Sequence, residues 1–139
     1  MTVSRKRRIQ FDGSKSISQI IRSSISTKAE LEKLCMDLKI PVHFDWIDNY
    51  DPRYINNILN IDSDHIGGTH WIAIYNNTYY FDPLGMPPAR DNLNYLQYTT
   101  IPIQNPKAGA CGLYCVLFLW YANHDEIDKF YSLFELYKY

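Results

Sequence analysis

The chain has 139 residues, of which 46% are apolar and 15% aromatic, with a formal net charge of −1. That composition is too apolar for a disordered segment, and the near-neutral balance gives the chain as a whole no electrostatic signature for nucleic acid or membrane. No run approaches the roughly 18 apolar residues of a membrane-spanning helix, and one domain of this length buries a core without disulfide or metal staples.

Residues 1–15 read as a flexible arm, polar and without a sustained hydrophobic period, with a local basic cluster of Arg5, Lys6, Arg7 and Arg8. No apolar stretch follows those residues, so no secretory signal is expected. Residues 16–139 read as a single domain without internal repeats. Ile17, Ile20, Ile21 and Ile25 suit a short helix. A clearer one follows: Thr27 and Glu30 have capping-box spacing, Leu31, Leu34, Cys35 and Leu38 recur at helical intervals, and Pro41 is expected to end it. Residues 42–47 and 54–61 alternate imperfectly, as short strands do. Residues 70–75 and 78–81 are β-rich and flank Asn76-Asn77, which predicts a hairpin because Asn tolerates positive φ. Residues 82–88 form a rigid, turn-rich loop. Residues 98–103 are a further strand candidate that Pro102 confines to an edge or a strand end. Residues 109–123 are almost wholly apolar and predict a buried helix, and residues 125–138 a final amphipathic one.

Four residues suggest chemistry together, although each alone is ordinary. Cys111 sits among small residues at the predicted start of the apolar helix, where free N–H groups and the helix dipole favour a thiolate. Taken alone it reads as a packing cysteine, as do Cys115 and Cys35. His70 follows Gly67-Gly68-Thr69 at the mouth of a strand, Asp82 closes the other arm of the hairpin, and Gln104 lies seven residues before Cys111. Thiol acyl transfer needs such a set: a nucleophile, a base, a group that orients the base, and a donor for the oxyanion. His43, His65 and His124 lack metal-ligand spacing, so neither metal nor cofactor is expected. Three cysteines cannot pair completely, and Cys111 and Cys115 lie one turn apart, a poor disulfide geometry, so a reducing intracellular setting is expected.

The segments Gly68-Thr69-His70-Trp71, Tyr80-Phe81-Asp82-Pro83-Leu84-Gly85-Met86-Pro87-Pro88, Gln104 with Cys111-Gly112-Leu113-Tyr114-Cys115, and Phe118-Leu119 resemble the adenovirus-protease (adenain-like) family and, more distantly, the SUMO-specific proteases. The order His, acid, Gln, Cys agrees with that family, and the motifs cover residues 67–119; the first 60 residues match loosely. The resemblance implies an α+β, papain-like cysteine protease fold in which a small sheet packs on a buried helix carrying the nucleophile. It implies a cysteine endopeptidase with His70 as base, Asp82 as orienting acid, Cys111 as nucleophile and Gln104 with the Cys111 N–H as oxyanion hole. Trp71 and Gly112 would border the substrate. It further implies a monomer that acts inside the host cell, in nucleus or cytoplasm, or packaged in the virion. Its substrates would be capsid or polyprotein precursors of a virus, virophage or Maverick/Polinton-type element. The family also brings DNA contact, for which Arg5, Lys6, Arg7 and Arg8 are the candidates, and an activating peptide held by a disulfide upstream of the Gln. This chain has no cysteine between Cys35 and Cys111 for that bond. The rival readings are an isopeptidase for a ubiquitin-like modifier, an acetyltransferase on the same triad, and an inactive virion-structural or binding protein.

The hairpin carries a geometric condition. A plain two-residue loop would set His70 opposite Pro83 and point His70 and Asp82 to opposite faces, because side chains alternate with period 2. An odd-length loop or a bulge is therefore expected, with Asp45, Asp48 or Asp51 as the alternative acids if it is absent.

Overall fold

The computed structural model describes residues 10–11, 15–16, 27–63, 68–103 and 111–136. In chain order its elements are β1 (Gln10–Phe11), β2 (Lys15–Ser16), α1 (Lys28–Asp37), β3 (His43–Trp46), β4 (Asn56–Ser63), β5 (Gly68–Tyr75), β6 (Tyr79–Phe81), α2 (Cys111–Asn123) and α3 (Ile127–Leu136). β1 and β2 pair with each other within and just beyond the stretch read as an arm. The helix expected around Ile17 to Ile25 lies outside the described residues.

α1 begins as its sequence dictates. Thr27 stands extended at the N-cap, its Oγ1 accepts the Glu30 N–H at 3.1 Å, and the Glu30 carboxylate accepts the Thr27 N–H at 3.1 Å. The expectation that Pro41 ends the helix is not met. Lys39 takes φ +60°, the Ile40 N–H reaches the Cys35 carbonyl and the Lys39 N–H that of Met36, so a Schellman motif stops α1 at Asp37. α2 ends the same way, with Asp125 at φ +59° and the Glu126 N–H on the Tyr121 carbonyl.

The main sheet has the order β3-β4-β5-β6, with β3 parallel to β4 and the other neighbours antiparallel. Both of its faces are apolar, which explains why residues 71–74 show no polar alternation. Ile58, Trp71, Ala73 and Phe81 join the core formed with the helices, whereas Leu59, Ile61, Ile72, Ile74 and Tyr80 pack with Ile47, Leu93 and Leu96 on the other side. α2 lies on the first face in contact with β5, with α1 and α3 packed against it. From Val116 to Leu119 it is buried on every side, as an apolar helix without a polar stripe must be. The architecture is α+β, a small sheet on a buried helix, as the sequence implies.

Residues 98–103 do not form the expected strand. Instead Gln97 bridges the edge of β6, donating to the Thr78 carbonyl and accepting the Tyr80 N–H. Farther along, the Ile103 N–H bonds the Pro83 carbonyl at 2.9 Å, and Gly85 at φ +73° lets the two loops touch, since a Cβ there would stand 2.7 Å from the Pro102 nitrogen.

Phe118 on α2 stacks on Phe81 of β6 at 4.7 Å between ring centroids and 7° between planes, and both are buried. Phe118→Ala is expected to cost about 3–5 kcal/mol of stability in chemical denaturation.

Candidate active site

The site forms where the two arms of the hairpin differ in length. β6 stops at Phe81, opposite Ala73, while β5 runs on to Gly68. The first turn of α2 lies against the uncovered stretch. The Trp71 N–H donates to Cys111 Sγ at 3.4 Å, and the Cys115 thiol donates to the Trp71 carbonyl at 3.4 Å. Spacing of i, i+4 brings both sulfurs to one helix face.

His70 precedes this contact on β5 and is 3% exposed; Asp82, just past β6, is 6% exposed. His70 Nε2 and Asp82 Oδ1 lie 2.8 Å apart, and the same Oδ1 accepts the Leu84 N–H at 2.8 Å. The ring also hydrogen-bonds with Cys111. Burial pulls the His70 pKa down, but the hydrogen bonds with Asp82 and Cys111 outweigh it and raise the ring to about 9, keeping it protonated near neutrality. Burial pushes the Cys115 thiol well above its ordinary value, and burial with nearby Glu32 raises Cys35 to about 12. Those two cysteines stay protonated and inert.

The hairpin meets its geometric condition. Tyr75 pairs with Tyr79 across the loop Asn76-Asn77-Thr78, which is odd in length. Asn76 and Asn77 both take positive φ, and the Thr78 N–H closes the turn on the Tyr75 carbonyl. Continued by one step, the register sets Asp82 opposite Ile72. Asp82 is thus diagonal to His70 on one face, two positions along β5 from direct opposition. The alternative acids are engaged elsewhere: Asp45 with Asn49 and His43, Asp48 with Arg90, Asp51 with Arg53.

Trp71 is buried and meets Phe44 edge-on, with ring centroids 6.1 Å apart. It also borders an open cleft of about 690 Å³ that Phe44, Asp45, Trp46 and Asn60 line. Gly112 is buried beneath it. A Cβ there would stand 2.5 Å from Leu31 Cδ1 and 3.1 Å from Trp71 Cδ1, so its bareness lets the first turn of α2 close on α1 and β5. Gln104 and the cluster Arg5, Lys6, Arg7, Arg8 lie outside the described residues. By sequence Cys115 reads as a packing residue, and the structure adds its bond to Trp71; the i, i+4 step from Cys111 indicates only that the two sulfurs share a helix face. Among the described residues no group of three or more His, Cys, Asp or Glu could hold a metal, and no helix is long and apolar enough to cross a membrane.

Comparison with known proteins finds adenovirus proteases. That of porcine adenovirus A serotype 3 is 28% identical over 127 residues, taking in 68% of this chain and 62% of the relative. That of human adenovirus B serotype 3 is 31% identical over 88 residues, covering 45% and 42%. The protease of bovine adenovirus C serotype 10 is 28% identical over 127 residues, covering 68% and 65%. The chain spans less than two thirds of the length of each of these relatives. No family model and no solved structure matches it. By sequence, then, the chain is similar to the adenovirus proteases and adenain-like in that sense.

Proposed function

We propose that the chain is a cysteine endopeptidase that cleaves capsid or polyprotein precursors during viral maturation. The observation that carries this reading is the buried His70–Asp82 hydrogen bond placed against Cys111 at the first turn of α2. The protonated His70 ring holds the proton of the Cys111 thiol, and the sulfur adds to the scissile carbonyl as the thiolate of that pair. Asp82 holds Nε2 and steadies the imidazolium. The Cys111 N–H at the helix N-terminus and the Gln104 amide receive the oxyanion. Collapse of the tetrahedral intermediate breaks the C–N bond as His70 returns its proton to the leaving amine. Water, deprotonated by His70, then hydrolyses the thioester to a carboxylate and the free thiol. Trp71 and the main chain of Gly112 border the substrate. The enzyme works as a monomer in the host cell or virion, and Arg5, Lys6, Arg7 and Arg8 supply contact with DNA.

Incubation with the capsid proteins of the same genome, followed by N-terminal sequencing, tests this reading. New N-termini are expected with the parent and none with Cys111→Ala. Release of a ubiquitin-like modifier without capsid cleavage would point to an isopeptidase instead. Cys111→Ser is expected to fold normally and to lose on the order of 10³-fold or more in kcat.

Gln104→Ala is expected to lower kcat by about 10²–10³-fold, the scale of one oxyanion donor. Unchanged turnover would remove Gln104 from the site.

The His70 pKa of about 9 in the folded protein lies above its ordinary 6.5. The stabilisation linked to it is therefore full below pH 6.5 and fades as pH rises through 9. The parent should melt well above Asp82→Asn at pH 6, roughly in line with a broken buried pair, and the gap in Tm should narrow by pH 10. A gap that stays constant across that range would contradict the assignment.

A further inference from the structure

We propose that Cys115 is a positioning residue for Cys111, acting through the main chain of Trp71; the inference rests on Cys111 being the reactive thiol. Ala73 faces Phe81, so continuing the register sets Trp71 opposite Pro83. Pro83 has no N–H to give the Trp71 carbonyl, and its own carbonyl is taken by the Ile103 N–H. An extension of β6 would therefore leave the Trp71 carbonyl without a donor. Both main-chain groups of Trp71 are satisfied by α2 instead: the N–H by Cys111 Sγ and the carbonyl by the Cys115 thiol.

The two bonds do different work. The Trp71 N–H points at the sulfur that carries negative charge when His70 takes the proton, and a hydrogen bond to an ionised acceptor is stronger than one to a neutral group. The Cys115 bond ties the other end of the same residue to the next turn of α2. Trp71 is thereby held at two points, and His70, bonded directly to it, is held at a fixed distance from Cys111. This role needs a thiol that keeps its proton, and complete burial ensures that it does. A side chain at position 115 without a donor leaves a buried carbonyl unpaired and frees the Trp71 peptide to turn away.

Three variants test the assignment by two rates: alkylation of Cys111 by iodoacetamide, mapped by mass spectrometry, and kcat for peptide cleavage. Cys115→Ala should slow both roughly tenfold with KM unchanged. Cys115→Ser keeps a donor and should recover most of the loss. Cys35→Ala removes the same atoms from the same core without touching the Cys115 bond and should react as the parent does. A Cys115→Ala protein alkylated at the parental rate, or a serine variant as slow as the alanine one, would overturn the proposal. Should Cys115→Ala not fold, Cys115→Val, which fills the space without a donor, decides by the same alkylation rate: about tenfold slower than the parent, or equal to it if the contact is wrong. Alkylation needs no peptide substrate. Selective labelling of Cys111 with the expected Cys115 effect, but without peptide cleavage, would count against the peptidase reading and leave this one standing.

Discussion

β6 stops at Phe81 while β5 runs on to Gly68, and the stretch of β5 left uncovered is where the first turn of α2 docks. An uncovered strand edge is costly when buried, because its N–H and C=O groups have neither water nor a neighbouring strand. Here the two sulfurs of α2 occupy that edge at Trp71, and Gly112 between them removes the side chain that would hold the helix off. The placement of Cys111 beside His70 follows from this single docking contact. α1 contributes through Leu31, which closes on Gly112 from the other side.

The His70–Asp82 pair is better explained by chemistry than by stability. Both side chains are almost wholly removed from water, and desolvation of two such groups commonly cancels their mutual attraction. What makes the pair tolerable is the set of bonds around it. Asp82 accepts from His70 and from the Leu84 main chain, and the ring also bonds Cys111. The consequence is a ring held in one orientation, with Nε2 committed to Asp82. An apolar pair of the same volume would fill the space equally well and could move no proton.

The hairpin loop is fixed from outside as well as within. Asn77 takes the left-handed conformation, and its Oδ1 accepts from both the Tyr50 and the Tyr95 hydroxyls, at 2.8 and 2.5 Å. Two phenols from separate segments thus anchor the loop whose odd length puts His70 and Asp82 on one face. A slip by one residue would move every side chain of β6 to the opposite face, carrying Phe81 out of the core and Asp82 away from the ring. The stacking of Phe81 on Phe118 opposes the same slip from the helix side.

Much of this was legible in the residues themselves. The capping box at Thr27 and Glu30, the apolar helix from Cys111, the hairpin around Asn76-Asn77 and the need for an odd loop all follow from local pattern, because helix period, strand period and turn chemistry act over a few neighbours. The motifs from Gly68 to Leu119 carried the likeness to adenovirus proteases for the same reason: they are short and contiguous. What local pattern could not give was decided by groups far apart in sequence. Lys39 and not Pro41 sets the end of α1, because the closing bonds come from carbonyls already in place. Residues 98–103 pair only at isolated points, because the edge of β6 is already taken by Gln97. The place of Cys115 in the site depended on the tertiary structure alone: its partner is a carbonyl 44 positions away, on a strand whose neighbour ends too soon. Sequence determined which side chains could do the chemistry, since that is a property of each residue; the unequal lengths of β5 and β6 decided which of them meet.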